Sequence, residues 1–151
     1  MDKSKELQSS IRLVNDKLRF EGMVEGNAPV AIDYIAPLGD DEGYTSLELL
    51  LLSLSSCVGS AVLTFLRRLN KTINGCEIQS RGTRREEHPT GFSHIVVDIR
   101  LQSPDVSDDD MKKVIALAED KYCPVYAMVK GNTDVDIRFC IEKQNSKCDC
   151  C

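Results

Sequence analysis

The sequence predicts an α+β fold in which antiparallel strands from two β-meanders accompany a long buried central helix and a second, amphipathic helix. Three observations support this prediction. Short segments at residues 11–14, 18–24 and 29–35 have strand-like alternation, residues 45–68 are largely apolar, and apolar side chains recur at helical spacing over residues 111–122. A chain of 151 residues is about one domain in size, and we place that domain at residues 1–143.

The N-terminal segments are predicted to form a meander of two or three antiparallel strands. A Glu-Gly-Asn sequence at residues 25–27 supplies turn chemistry before the third strand. In the second strand, Leu18 and Phe20 point to one face and Arg19 points to the other. Arg19 is therefore either a solvated sheet residue or a cation presented to a partner surface.

Residues 45–68, TSLELLLLSLSSCVGSAVLTFLRR, predict a helix that is buried on most sides. Thr45 and Glu48 fit a capping box, in which hydroxyl and carboxylate each accept a hydrogen bond from an N–H group of the first turn. A membrane span needs roughly 20 predominantly apolar residues. Because Glu48, four serines and Thr64 dilute the run from Leu47 to Leu66, we favour the core helix of a soluble domain.

Cys57 lies in the most apolar part of this helix, among small side chains that allow another chain segment to come close to its sulfur. A buried free cysteine is by default a small inert hydrophobe. The alternative is a reactive thiol, and the helix alone leaves both interpretations open.

The second half of the chain predicts another hairpin, a capped helix and a final strand. Residues 76–84 and 94–101 form the hairpin, and the second of these strands has one apolar face made of Ile95, Val97, Ile99 and Leu101. Ser107 is the expected N-cap of the amphipathic helix, whose first turn carries three aspartates. Residues 134–142 form the last strand.

Cys123 stands directly before Pro124, a residue favoured at the first position of a helix. We therefore expect Cys123 to be the N-cap of a short helix that ends at Gly131. A sulfur at this position meets the positive end of the helix, which lowers the pKa of a thiol. A cysteine at a helix boundary with no chemistry is the equally weighted alternative.

Composition excludes several classes of function. The formal net charge of -5, without a clustered basic stripe, argues against nucleic acid as a partner. With two histidines and no tryptophan, we expect no metal site and no cofactor. No apolar segment typical of a signal peptide is present at the N-terminus, so we expect a cytoplasmic protein without a membrane partner. In that reducing compartment, seven cysteines favour catalytic, metal-binding or incidental roles over disulfides.

Residues 144–151 form a polar, Cys-rich tail that we expect to be flexible. Cys148, Cys150 and Cys151 could bind a soft metal. Three thiols without a fourth ligand are a weak metal signal, so a metal-handling role ranks low.

Over residues 18–141 the chain resembles the OsmC/Ohr family of thiol peroxidases. The resemblance lies in two motifs, LELLLLSLSSC and KYCPVYAMVKGNTDV, and in the arrangement of the strands around them. The resemblance implies an OsmC-like fold that forms an intertwined homodimer, with active sites near the subunit interface. It also implies that Cys57 is the peroxidatic cysteine, which attacks a hydroperoxide. Cys123 is then the resolving cysteine, which captures the sulfenic acid as a disulfide, and a dithiol reductant recycles the pair.

The family also uses a glutamate upstream of the first cysteine and an arginine from the early strands, and Glu48 and Arg19 are the matches here. In the well-studied hydroperoxide reductases the glutamate lies ten residues before the cysteine, a position held here by Leu47. Glu48 lies nine residues before Cys57, about half a turn out of phase with it on an ideal helix. Glu48 is therefore either a catalytic residue or only a helix cap.

The sequence thus predicts an enzyme, a cysteine-based peroxidase that reduces organic hydroperoxides in oxidative or osmotic stress defence. Attack requires a thiolate, which a nearby cation would stabilise. We expect an apolar wall to favour bulky alkyl hydroperoxides, with Leu50, Leu54, Val58 and Phe65 as its members. The alternative function is a non-enzymatic OsmC-like dimer that binds a small ligand or senses redox state.

Overall fold

The computed structural model describes residues 6–143, so the predicted tail at residues 144–151 lies outside the described residues. The chain forms two compact units, Met1–Leu49 and Leu50–Cys151. The boundary between them falls in the first turn of the long helix. The single domain expected over residues 1–143 stays a prediction.

The N-terminal unit contains a three-stranded antiparallel sheet with strand order β1-β2-β3. Its strands are β1 (Ser10–Leu13), β2 (Phe20–Met23) and β3 (Val30–Ile32). The predicted opening meander is confirmed, although β2 and β3 are shorter than the alternating segments. After β3 the carboxylate of the buried Asp33 accepts hydrogen bonds from the backbone N–H groups of Tyr34, Asp40 and Glu42. These bonds fix the loop that leads to the long helix.

Helix α1 (Ser46–Arg68) begins with the predicted capping box. The backbone N–H of Thr45 donates to the Glu48 carboxylate at 2.7 Å, and the N–H of Glu48 donates to the Thr45 hydroxyl at 3.3 Å. One face of the helix is buried, with Leu54, Val58, Val62 and Leu66 among its residues. The expectation of burial on most sides is wrong for this chain, since the Leu52 side of α1 is exposed.

By length and composition alone, α1 could cross a membrane, a test that the core helices of soluble proteins also pass. Of its most apolar window, 39% is buried inside the structure. The buried share belongs to the face that carries Leu54 and Val58, both 0% exposed. This face of α1 packs into the core of the C-terminal unit.

The C-terminal unit contains a second sheet, with strand order β4-β5-β6. Its strands are β4 (Gly75–Arg84), β5 (Phe92–Gln102) and β6 (Asp134–Glu142). The β4–β5 hairpin is antiparallel as expected, but β6 runs parallel to β5. The antiparallel expectation is wrong for this pair because the helical segment between the two strands works as a crossover connection, which joins parallel neighbours.

Two helices and a π-helical turn make up that crossover. Helix α2 (Asp108–Leu117) has the predicted Ser107 N-cap, completed by Asp110 as a capping box. The π-helical turn (Ala118–Tyr122) follows, and α3 (Pro124–Val129) comes directly after Cys123.

The core of the C-terminal unit is built from α1, α2 and β5. All four predicted residues of the β5 face are buried, with Ile95 and Val97 at 0% exposure. Gly59 of α1 lies against Ile78 of β4, and a Cβ atom at Gly59 would stand 2.4 Å from the Ile78 Cδ1 atom. The glycine therefore leaves room for the Ile78 side chain against the helix segment that carries Cys57.

Candidate active site

The structure brings Cys57 and Cys123 together although they are 66 residues apart in sequence. Cys57 lies in the middle of α1, and Cys123 is the N-cap of α3. Their sulfur atoms are 2.8 Å apart, with the Cys123 thiol donating a hydrogen bond to Cys57. Both are free thiols, and a disulfide between them needs an S–S distance of about 2.05 Å. A small approach of the two sulfurs is therefore enough to bridge them.

Backbone hydrogen bonds hold Cys123 in this position. Its own N–H donates to the Ala118 carbonyl at 3.0 Å, which closes the π-helical turn. Its sulfur accepts a hydrogen bond from the Tyr126 N–H at 3.3 Å, which is the N-cap contact of α3. Pro124 occupies the first turn of α3, as the sequence predicted. Turns of the π type are frequent at functional sites.

Burial dominates the acidity of Cys123. The residue is 2% exposed, and this desolvation, together with the hydrogen bond to Cys57, raises the pKa of the Cys123 thiol to about 11. The Tyr126 N–H acts in the opposite direction but is outweighed. The expected lowering of the Cys123 pKa is therefore wrong, because the backbone N–H groups of Tyr126 and Val125 compensate only part of the lost hydration. Cys123 stays a neutral thiol and hydrogen-bond donor near neutral pH.

A groove of about 460 Å³ opens beside Cys57. Two rows of α1 side chains at four-residue spacing line it, and Tyr122 and Pro124 complete the lining. The first row is Ser56, Ser60, Thr64 and Arg68, and the second is Cys57, Ala61 and Phe65. The small side chains near Cys57 leave room for a ligand to reach the sulfur.

Aromatic side chains and cations mark the far end of the groove. The rings of Phe65 and Tyr122 pack at a centroid distance of 4.6 Å and an angle of 56°. The Arg68 guanidinium lies 5.3 Å from the Phe65 ring centroid, and Lys121 Nζ lies 5.5 Å from the Tyr122 centroid. The groove thus combines a thiol, an apolar segment and positive charge.

The expected apolar wall is only partly present in this groove. Phe65 lines it as predicted. Leu54 and Val58 instead belong to the buried face of α1 and contribute to the core. Arg68 and Tyr122, which are not among the predicted site residues, also line the groove. The row from Ser56 to Arg68, repeated every fourth residue, is the signal that could have identified Arg68.

Glu48 is engaged in the helix cap. Its carboxylate accepts hydrogen bonds from both the N–H and the hydroxyl of Thr45, and these bonds lower the pKa of Glu48. The capping role is therefore present. The catalytic role of Glu48 stays a prediction.

Arg19 lies in the N-terminal unit, where its guanidinium forms an ion pair with Glu42. Its backbone N–H donates to the Asn15 side chain at 3.1 Å. The expected role of Arg19 in activating Cys57 also stays a prediction.

The chain matches the family described as OsmC-like protein over residues 39–138, which is 100 of its 151 residues. The match includes both cysteines and extends across the boundary between the two units. Protein YhfA of Escherichia coli strain K12 is 27% identical over 95 residues, which cover 63% of this chain and 71% of that protein.

Solved structures show the same α+β architecture. A hypothetical protein from Aquifex aeolicus VF5 superposes with a TM-score of 0.81 at 24% identity, over 93% of this chain and 99% of that one. An organic hydroperoxide resistance protein from Elizabethkingia anophelis superposes with a TM-score of 0.70 at 16% identity, over 94% and 100%. The predicted α+β, OsmC-like fold is confirmed.

The buried state of Cys123 can be tested by alkylation. With the pKa of Cys123 raised to about 11, its iodoacetamide labelling rate should keep rising with pH up to about that value. In denatured protein the same thiol should titrate near the ordinary value of roughly 8.5. Mass spectrometry of the labelled peptide measures both profiles. A midpoint near neutral pH in the folded protein would contradict the buried neutral thiol.

Proposed function

We propose, because this chain belongs to the OsmC-like protein family, that it acts as a thiol-dependent peroxidase for organic hydroperoxides. Family membership points to a redox or stress-related role, and the Elizabethkingia anophelis relative is named an organic hydroperoxide resistance protein. The observation that carries the proposal is the 2.8 Å contact between the sulfurs of Cys57 and Cys123. A peroxidatic and a resolving cysteine need this proximity to form a disulfide quickly.

In the first step, the Cys57 thiolate attacks the terminal oxygen of the hydroperoxide. The S–O bond forms as the O–O bond breaks, and the alkoxide leaves as the alcohol after taking up a proton. Cys57 becomes a sulfenic acid, and its sulfur is oxidised by two electrons. Cys57 suits this role because it is half-buried, lines the groove and accepts the hydrogen bond from the Cys123 thiol.

In the second step, Cys123 attacks the sulfur of the Cys57 sulfenic acid. The S–S bond forms, and the hydroxyl group leaves as water with the proton that Cys123 gives up. The sum is one hydroperoxide and two thiols converted to one alcohol, one water and one disulfide. A dithiol reductant then restores both thiols by exchange. We place this cycle in the cytoplasm, whose reducing thiol pool can supply the electrons.

The groove favours organic hydroperoxides over hydrogen peroxide. Its Ala61, Phe65 and Tyr122 side chains supply apolar surface next to the reactive sulfur. An alkyl group that covers this surface gains roughly 25 cal/mol per Å² of apolar area removed from water. Hydrogen peroxide has no apolar group with which to gain this energy.

We also propose that the protein is a homodimer. Leu52, on the helix that carries Cys57, is 51% exposed, and Met128, on the helix that Cys123 caps, is 75% exposed, so both elements of the cysteine site present an apolar side chain that another subunit could cover. Exposed apolar side chains of this kind are typical of interaction surfaces.

Sedimentation equilibrium tests the proposed dimer. It should give twice the chain mass of 16.8 kDa, and a monomer at micromolar concentration would contradict the proposal.

A ligand-binding or redox-sensing role is the second candidate. It is favoured by the engagement of Arg19 with Glu42 and of Glu48 with Thr45, which leaves both family residues in structural contacts. This role predicts a single stoichiometric oxidation of the cysteines, without repeated turnover.

Oxidation with one equivalent of cumene hydroperoxide tests the main proposal. We expect a rapid Cys57–Cys123 disulfide, identified by peptide mapping, and continued turnover when a dithiol is supplied. Cys57→Ser should abolish turnover, and Cys123→Ser should leave a sulfenic acid on Cys57. Cys76→Ser is the matched control, because Cys76 is an exposed thiol of β4, and it should react like the wild type. Slow oxidation spread over several cysteines would overturn the peroxidase proposal.

The proposed activating role of Arg19 has its own test. Arg19→Gln should slow Cys57 oxidation about tenfold, the effect of roughly 1.4 kcal/mol of lost thiolate stabilisation. Arg12→Gln is a matched control, because Arg12 is also an arginine of the N-terminal unit paired with a glutamate. Stopped-flow measurement of the first oxidation step gives the rate. If Glu42→Gln reproduced the loss, the Arg19–Glu42 ion pair rather than an activating cation would be responsible.

A further inference from the structure

The groove beside Cys57 has positive charge at its far end. The guanidinium of Arg68 lies over the Phe65 ring, and the ammonium of Lys121 lies over the adjoining Tyr122 ring. Among the ion pairs formed within residues 6–143, none includes Arg68 or Lys121. By contrast, Arg12, Arg19, Arg81 and Arg138 are each paired with a carboxylate. The cationic end of the groove is therefore available to an anion from outside the chain.

The spacing of the two ends defines the length of a ligand. Arg68 follows Cys57 by 11 residues on α1, a rise of about 16 Å along the helix axis. Side chains of a helix point back towards its N-terminus, and the position of Arg68 over Phe65 agrees with this direction. The guanidinium therefore stands roughly 12 Å along the axis from Cys57, the rise of the eight residues to Phe65.

The surface between these ends suits an elongated ligand. Ser60, Ala61 and Thr64 line this part of the groove, and their small side chains leave its floor open. Phe65 and Tyr122 add apolar area next to the cation. A ligand that fits has an apolar body, a reactive atom at one end and a negative charge at the other.

We propose that Arg68 is a specificity-determining residue that selects elongated hydroperoxides carrying a carboxylate at the end remote from the peroxide. The inference rests on the proposed function, because it places the peroxide at Cys57. A guanidinium keeps its charge at any physiological pH and binds a carboxylate through two parallel hydrogen bonds. A neutral alkyl hydroperoxide covers the apolar surface but gains nothing from Arg68.

A matched pair of substrates tests this selection. The kcat/KM values are measured for a long-chain hydroperoxy carboxylic acid and for its methyl ester. The wild type should prefer the acid, and Arg68→Gln should reduce the acid-to-ester preference about tenfold, mainly through KM. Arg68→Lys should keep part of the preference. Arg67→Gln is the matched control, because Arg67 is the adjacent arginine of α1 but does not line the groove, and it should keep the full preference.

A binding measurement separates this inference from the peroxidase proposal. In the Cys57→Ser protein, calorimetry compares a saturated long-chain carboxylate with the alcohol of equal length. The carboxylate should bind more tightly, and adding Arg68→Gln should weaken its binding about tenfold. If this result is obtained without any peroxidase turnover, the peroxidase proposal fails and the anion site stands. Equal binding of carboxylate and alcohol, or an equal loss in Arg67→Gln, would overturn the role of Arg68.

Discussion

The contact between the sulfurs of Cys57 and Cys123 is the constraint on which the candidate chemistry depends. It needs two elements from distant parts of the chain to be fixed to within a fraction of an ångström. Gly59 provides one condition, because the absence of a side chain lets α1 lie close to Ile78 of β4. The π-helical turn provides the other, because its hydrogen bond to Ala118 ends the turn at Cys123. Core packing thus acts on the helix that carries Cys57, and a local backbone irregularity ends at Cys123.

The two cysteines differ in environment, and this difference supports the roles proposed for them. Cys123 is almost fully buried, which raises its pKa to about 11, whereas Cys57 is half-buried and opens to the groove. Desolvation of the Cys123 thiol outweighs the backbone N–H groups of Tyr126 and Val125, which act to lower its pKa. A neutral Cys123 can donate a hydrogen bond to Cys57 and give up its proton only when the second step needs it. Substrate access and electrostatics therefore point to the same order of events.

Features of the structure that depend on neighbouring residues are predictable from the sequence, whereas features that depend on distant parts of the chain are not. The caps at Thr45, Ser107 and Cys123 were identified because capping involves residues within one helical turn. The buried face of β5 is predictable because apolar side chains must recur at every second residue when one face of a strand is buried. The parallel direction of β6 and the meeting of Cys57 with Cys123 depend on how a crossover returns across the sheet, which no short motif records. The pKa of Cys123 was predicted in the wrong direction because the N-cap position is local, whereas burial depends on the whole unit.

Helix α1 has two functions that its composition does not separate. One face carries Leu54 and Val58 into the core, and the neighbouring rows carry Cys57 and Arg68 along the groove. Hydropathy averages over both faces, which is why α1 resembles a membrane span by length and composition. For the same reason the prediction that Leu54 lines the groove is wrong, because the hydropathy of a residue does not tell which face of the helix carries it. What distinguishes the groove face is its small side chains, whose repetition every fourth residue ends in an arginine. That polar end distinguishes the groove from the core and supports the proposal that it takes an amphiphilic ligand.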